Sequence, residues 1–191
     1  MPQPREQQIS LSDTPYYHVC SRVVRKAFLC GVDNDNGKSY EHRRDWVEQR
    51  IHQLSHVYAI DICAYAVMHN HLHLVLHVDV EEALSWSNEE VLSRWHRLFK
   101  GTILTQRCLK GEPLQAYELE MVDNCVQIYR QRLMDISWFM RSPNEFIARK
   151  ANAEDKCTGR FWEGRFKSQA LLDQPALLAC MSYVDLNPVR A

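Results

Sequence analysis

The sequence predicts an α+β fold in which an antiparallel sheet carries helices on one face. Runs rich in aromatic and β-branched residues begin at Tyr16, Ala59 and Phe161. The middle run is long enough for two strands and breaks at His69 and Asn70, and stretches with apolar residues at helical spacing lie between the runs.

In chain order, YYHVCSRVV (Tyr16 to Val24) reads as the first strand, followed by the turn-rich piece GVDNDNGKS. Ser39 then caps a helix to about Val57, with Trp46, Val47, Ile51 and Leu54 at helical spacing. Residues Ala59 to Val80 are too β-branched for a helix and form two adjacent strands joined by a tight turn. Glu81 to Phe99 reads as one or two helices, with Ser87-Asn88-Glu89-Glu90 as a cap. Residues 101–152 look like a mainly helical insertion. FWEGRFKSQALL (Phe161 to Leu172) is the last strand, and Asp173 or Gln174 with Pro175 opens a terminal helix. That helix is expected to end near Asn187, because Pro188 disfavours a helical residue before it. With the insertion set aside, the order β-α-β-β-α-β is the ferredoxin-like arrangement, completed by a C-terminal helix that bears Tyr183. Nothing in the sequence divides residues 1–191 into two domains.

Composition bounds the function. A 46% hydrophobic content over 191 residues supports one ordinary core. No run approaches the roughly 18 apolar residues that span a bilayer, and the polar start MPQPREQQIS carries no signal stretch, which implies a soluble cytoplasmic protein without membrane partners. The seven cysteines are odd in number and contain no C-x-x-C pair, so they read as buried reduced thiols. A net charge of -1 gives no global footprint for nucleic acid, so any such contact must come from local patches.

Two features carry chemistry. His71 and His73 are separated by one residue, so on a strand they share a face while Leu72 and Leu74 point to the other. That is half of a metal site. An isolated H-x-H is more often two polar positions on a solvated sheet face, but His69, His71, His73 and His77 all have one parity, and that density calls for a reason. The literal string His69-Asn70-His71 carries no weight as an HNH nuclease motif, whose ligands are spread over a longer unit. In the terminal helix, Leu177, Leu178, Met181 and Val184 can face the sheet, whereas Tyr183 and Asn187, four apart, share another face. Taken alone, Tyr183 reads as a half-buried aromatic and Asn187 as a helix-ending residue.

The segment YAVMHNHLHLVLHV is similar to the M-P-N-H-h-H-h signature of the HUH single-tyrosine transposases. FWEGRFKSQALL followed by YVDLNPVRA resembles the end of their REP-associated branch. The two motifs stand in the right order and in the right secondary-structure contexts. The resemblance implies that His71 and His73 are the H-hydrophobe-H metal ligands, Tyr183 the nucleophile and Asn187 a third ligand. It further implies a ferredoxin-like catalytic domain. This chain departs from the pattern at His69, where proline or serine usually stands, so that imidazole either joins the site or caps the turn. Relatives in that branch usually continue past the residue matching Ala191.

The implied reaction is cleavage and rejoining of single-stranded or hairpin DNA through a 5′-phosphotyrosine, by a protein acting as a monomer or homodimer. Two imidazoles and an amide oxygen leave coordination positions open, which suits Mg²⁺ or Mn²⁺ better than a closed zinc site. For DNA, Arg160, Arg165 and Lys167 interleave with Phe161, Trp162 and Phe166 as in a strand-tracking groove, and Arg141, Arg149 and Lys150 are weaker candidates for the same surface. Two rivals remain. A replication-initiator or relaxase-like HUH nickase shares the chemistry, but the order of its motifs fits less well. A domesticated, non-catalytic hairpin-binding protein shares the sheet but has no use for all four chemical residues.

Overall fold

A computed structural model describes residues 8–25 and 27–190, with the side chains as far as Asn187. Four strands form one antiparallel sheet: β1 (Tyr16–Arg22), β2 (Ile60–Val67), β3 (His71–Val78) and β4 (Lys167–Ala170). Their order is β2-β3-β1-β4, with β1 and β3 central, which is the ferredoxin-like topology.

The alternation of β1 and β3 decides what each face of the sheet becomes. Tyr17, Val19, Leu72, Leu74 and Leu76 are all buried and belong to the main core. Helices α1 (His42–Ser55) and α6 (Ile136–Glu154) pack side by side on that face, through Val47, Ile51 and Leu54 of the first and Phe139, Met140 and Ile147 of the second. The helix beside α1 thus comes from the end of the stretch expected as an insertion. Between β3 and α6 stand α2 (Val80–Ser85), α3 (Asn88–His96), α4 (Ile103–Leu109) and α5 (Ala116–Leu133). A second, smaller cluster lies on the other face, where Ala64, Ala66 and Val75 of the sheet meet Leu171 and Val184. Its helix is α7 (Gln174–Arg190), which lies over β2 and β3.

The local signals explain most boundaries. Ser87 caps α3 by accepting from the Glu90 amide, as its sequence position predicts. Asp173 does the same for α7, accepting from the Ala176 amide at 2.8 Å, with Pro175 in the first turn. Three expectations need correction. Helix α1 begins at His42 with Glu41 at its cap and no side-chain cap bond; Ser39 instead pairs with Val32 in an isolated bridge before the helix. The last strand is only Lys167–Ala170, because Phe161 and Trp162 turn into the core and meet the chain just beyond β1, through an isolated bridge of Trp162 with Val23 and the Val24 amide donating to the Phe161 carbonyl. Helix α7 continues through Pro188 to Arg190. Pro188 forfeits the bond that an amide there would make to the Val184 carbonyl, but only two helical residues follow it, so the disturbance stays at the helix end.

Candidate functional site

The second face of β1 and β3 carries the chemistry. Antiparallel pairing sets Arg22 opposite His71, Cys20 opposite His73, and His18 opposite Val75. On the outer strands, Lys167 lies opposite Cys20, and Ala66 lies opposite His73. One row across the sheet therefore reads Ala66, His73, Cys20, Lys167. The predicted common face of His71 and His73 is present, with ring centroids 5.8 Å apart.

Each of these two rings has its Nδ1 engaged. His73 Nδ1 lies 3.0 Å from His18 Nε2, with the two rings stacked. His71 Nδ1 is hydrogen-bonded to Asn70 Oδ1; with the amide in that orientation the oxygen accepts and the proton of His71 sits on Nδ1. Burial, above all, pushes the His73 imidazole down to about 4, helped by the neighbouring His18 and His71. His71 is lowered by burial first and then by Arg22. Both rings are therefore neutral at pH 7, the form that binds a metal. Cys20 Sγ lies 3.8 Å from His73 Nε2, and burial raises its thiol against the pull of Lys167 and Arg22, so it is not a thiolate.

Helix α7 brings the other two predicted residues to this face. Val184 is fully buried against the sheet, and Tyr183 stands beside it, 51% exposed, with its ring edge-on to His73 at 6.2 Å between centroids. The helix runs along the sheet from Leu177, near Tyr16, towards Tyr183, near His73. Asn187 is one turn further, about 6 Å along the axis. His71 lies about 7 Å beyond His73 in the same direction. The side-chain nitrogen of Asn187 is buried without a hydrogen-bond partner. Oxygen and nitrogen of an amide are assigned by their partners, so with the amide turned over the buried position holds an oxygen fit for a cation. Among the described residues, no three His, Cys, Asp or Glu side chains group as metal ligands. A metal site here would draw on two imidazoles and one carboxamide, a donor set that leaves coordination positions open and fits a divalent ion.

The remaining histidines have other partners. His77 shares the face, but it pairs with Asp61 at 3.1 Å and stacks on Tyr16. His69 sits in the β2–β3 turn, where its carbonyl accepts from the Leu29 amide. Of the DNA-contact candidates, Arg160, Arg165 and Lys167 are exposed, and Phe166 is half-buried. Trp162 is a core residue, 8% exposed, with its indole donating to the Asn144 carbonyl at 2.7 Å. That ring has no free face for a base. Arg141, Arg149 and Lys150 lie on α6, across the sheet from the histidines. Sequence reasoning missed His18, Cys20 and Arg22, although their shared parity in YYHVCSR already sets them against the core positions Tyr17, Val19 and Ser21.

Fold and site together define a class: a ferredoxin-like sheet whose exposed face presents paired histidines beneath a tyrosine-bearing helix. Among solved structures, the chain is similar to a REP-associated tyrosine transposase bound to a REP hairpin, with a TM-score of 0.51 and 12% identity over the whole of this chain and 74% of the other. The two share their fold, and in that sense this protein is like that transposase. No family model matches the sequence, and no curated protein matches it. No helix among the described residues is long and apolar enough to cross a membrane.

Proposed function

We propose that this chain is a transposase of the REP-associated tyrosine branch, cutting and rejoining single-stranded DNA with Tyr183 as nucleophile. The observation that carries the reading is the position of Tyr183, held edge-on to His73 by a helix whose neighbouring residue is fully buried. The likeness of the whole fold to a transposase bound to a hairpin supports it.

His71, His73 and Asn187 would hold Mg²⁺ or Mn²⁺, which neutralises charge on the phosphoryl oxygens as the reaction proceeds. Tyr183 Oη bonds to phosphorus and gives up its proton, while the bond from phosphorus to the 3′ oxygen breaks and that oxygen takes up a proton. The product is a 5′-phosphotyrosine and a free 3′-hydroxyl. Reversal by another 3′-hydroxyl rejoins the strand without ATP, because the phosphotyrosine conserves the bond. Lys167, in the same row as His73, and Arg22, opposite His71, line the part of this face that α7 leaves open. With Arg160 and Arg165 they form the track for the flanking strand, whereas Phe166 packs against the main core.

The test is a covalent adduct. With Mn²⁺ and a panel of single-stranded hairpins from the DNA flanking the gene, the protein should yield a species that survives a denaturing gel, and peptide mapping should place the nucleotide on Tyr183. Tyr183→Phe keeps the ring but loses the oxygen, so it should bind the same hairpin and form no adduct. An adduct mapping to a different tyrosine, or cleavage by the Phe variant at the wild-type rate, would falsify the assignment.

A further inference from the structure

Across the sheet from the histidines, α1, α3 and α6 enclose an open cavity of about 700 Å³. Its wall concentrates positive charge in a chain whose net charge is only -1. Arg50 of α1 and Arg141, Arg149 and Lys150 of α6 line it, against a single carboxylate, Glu145. That carboxylate is already engaged by both Arg141 and Arg149. Among the described residues, neither Arg50 nor Lys150 has an ion-pair partner. Arg50 donates to the neutral Gln53 amide and lies 5.2 Å from the Phe146 ring, and Lys150 Nζ sits 4.0 Å over Trp46. Gathering four cations around one opening is unfavourable unless an anion is to enter.

The aromatic content of the wall says which anion. Phe99, Trp138 and Phe146 line the same cavity, with Phe146 38% exposed. Two donors at this wall, Arg50 Nε and Trp95 Nε1, are buried without a hydrogen-bond partner. Buried donors that are left unpaired cost free energy unless an acceptor arrives. A bare inorganic anion would meet only the cations, and an apolar ligand only the rings. We propose that this cavity binds a nucleotide unit, with the phosphate taken by Arg50, Arg149 and Lys150 and the base laid against the exposed ring of Phe146. Its size lies in the range of small-molecule sites. The unit is either a free mononucleotide or one nucleotide of a single strand passing over the helices. The site is separate from Tyr183 and does not depend on the chemistry proposed there.

Thymidine monophosphate, thymidine and inorganic phosphate are titrated into the full chain by calorimetry, with tryptophan fluorescence as a second readout. The nucleotide should bind at least about tenfold more tightly than phosphate, within what one base stacked on an aromatic ring contributes. The double variant Arg149→Glu, Lys150→Glu changes two exposed side chains, so it should keep the wild-type melting temperature and lose nucleotide affinity by about tenfold or more, as charge-assisted phosphate contacts require. Tyr183→Phe should bind the nucleotide like the wild type, so the two proposals can fail separately. A thymidine hexanucleotide distinguishes the sources: tighter binding than the monophosphate, lost in the double variant, identifies a strand site, and equal binding identifies a free nucleotide. The proposal is overturned if phosphate binds as well as the nucleotide, if the double variant binds the nucleotide unchanged, or if a polyglutamate peptide binds where the nucleotide does not.

Discussion

His18 shows how much of a site can rest on one hydrogen bond. For His73 to offer its Nε2 lone pair, the proton must sit on Nδ1 and be donated to His18 Nε2, 3.0 Å away. His18 then carries its own proton on Nδ1, and burial keeps it neutral by lowering its pKa. A metal-binding imidazole is ordinarily oriented in this way by the partner of its other nitrogen. Replacing His18 with Phe keeps the ring and removes the acceptor. The expected result is a loss of about 10–100-fold in Mn²⁺ affinity, as for other groups that orient a metal ligand. Calorimetry checks it, with hairpin binding as the control that should not change. Unaltered Mn²⁺ affinity would mean that His73 is oriented by something else.

Helix α7 carries Tyr183, the proposed nucleophile, on a thin foundation. Its contact with the sheet is the small cluster of Val184 and Leu171 with Ala64, Ala66 and Val75, joined by the partly buried Leu177, Cys180 and Met181. The main core lies on the other side of the sheet and holds α1 and α6 independently. A segment with few buried contacts opens at low cost and without global unfolding. Val184→Ala removes two buried methyl groups and leaves a cavity, which should cost about 2 kcal/mol in the docking of α7. Hydrogen exchange should therefore speed up along Gln174–Arg190 while β1 and β3 keep their protection. If exchange rose equally in the central strands, α7 would be part of the global folding unit.

The molecule as a whole is a sheet with basic side chains gathered on both of its sides. On the histidine side, Arg22 and Lys167 stand beside the row of Cys20 and His73, with Arg160 and Arg165 exposed on the approach to β4. A net charge of -1 gives no long-range attraction for DNA, so the proposed binding has to come from these few contacts. Neutralising Arg160, Arg165 and Lys167 together to Gln should weaken single-strand binding. It should also flatten the dependence of log affinity on log salt, by about 0.7 for each phosphate contact removed. An unchanged salt slope would take these three cations off the DNA path and leave Arg22 and the α1/α6 cavity as the remaining basic surfaces.

What could be read without a structure was local. Period-2 alternation in HLHLVLHV put His71 and His73 on one face. Helical spacing in PALLACMSYVDL separated Val184 from Tyr183, and Ser87 marked the start of a helix; each is a relation between residues a few positions apart. The same alternation in YYHVCSR held the signal for His18, Cys20 and Arg22, but nothing local says that His18 will lie beside a residue 55 positions away. Trp162 looked like a stacking residue because its neighbours are cationic, and it proved to be core because α6 offers the Asn144 carbonyl to its indole. Helix α7 passes through Pro188 although the local rule ends it at Asn187; that rule biases one residue's backbone, and here only two helical residues follow the proline. Which helix lies beside α1, and so which basic residues of α6 meet Arg50 at the rim of a cavity, was decided by tertiary packing. Side-chain periodicity fixes which way a residue points within its own element, whereas the choice of neighbour depends on burying complementary faces far apart in the chain.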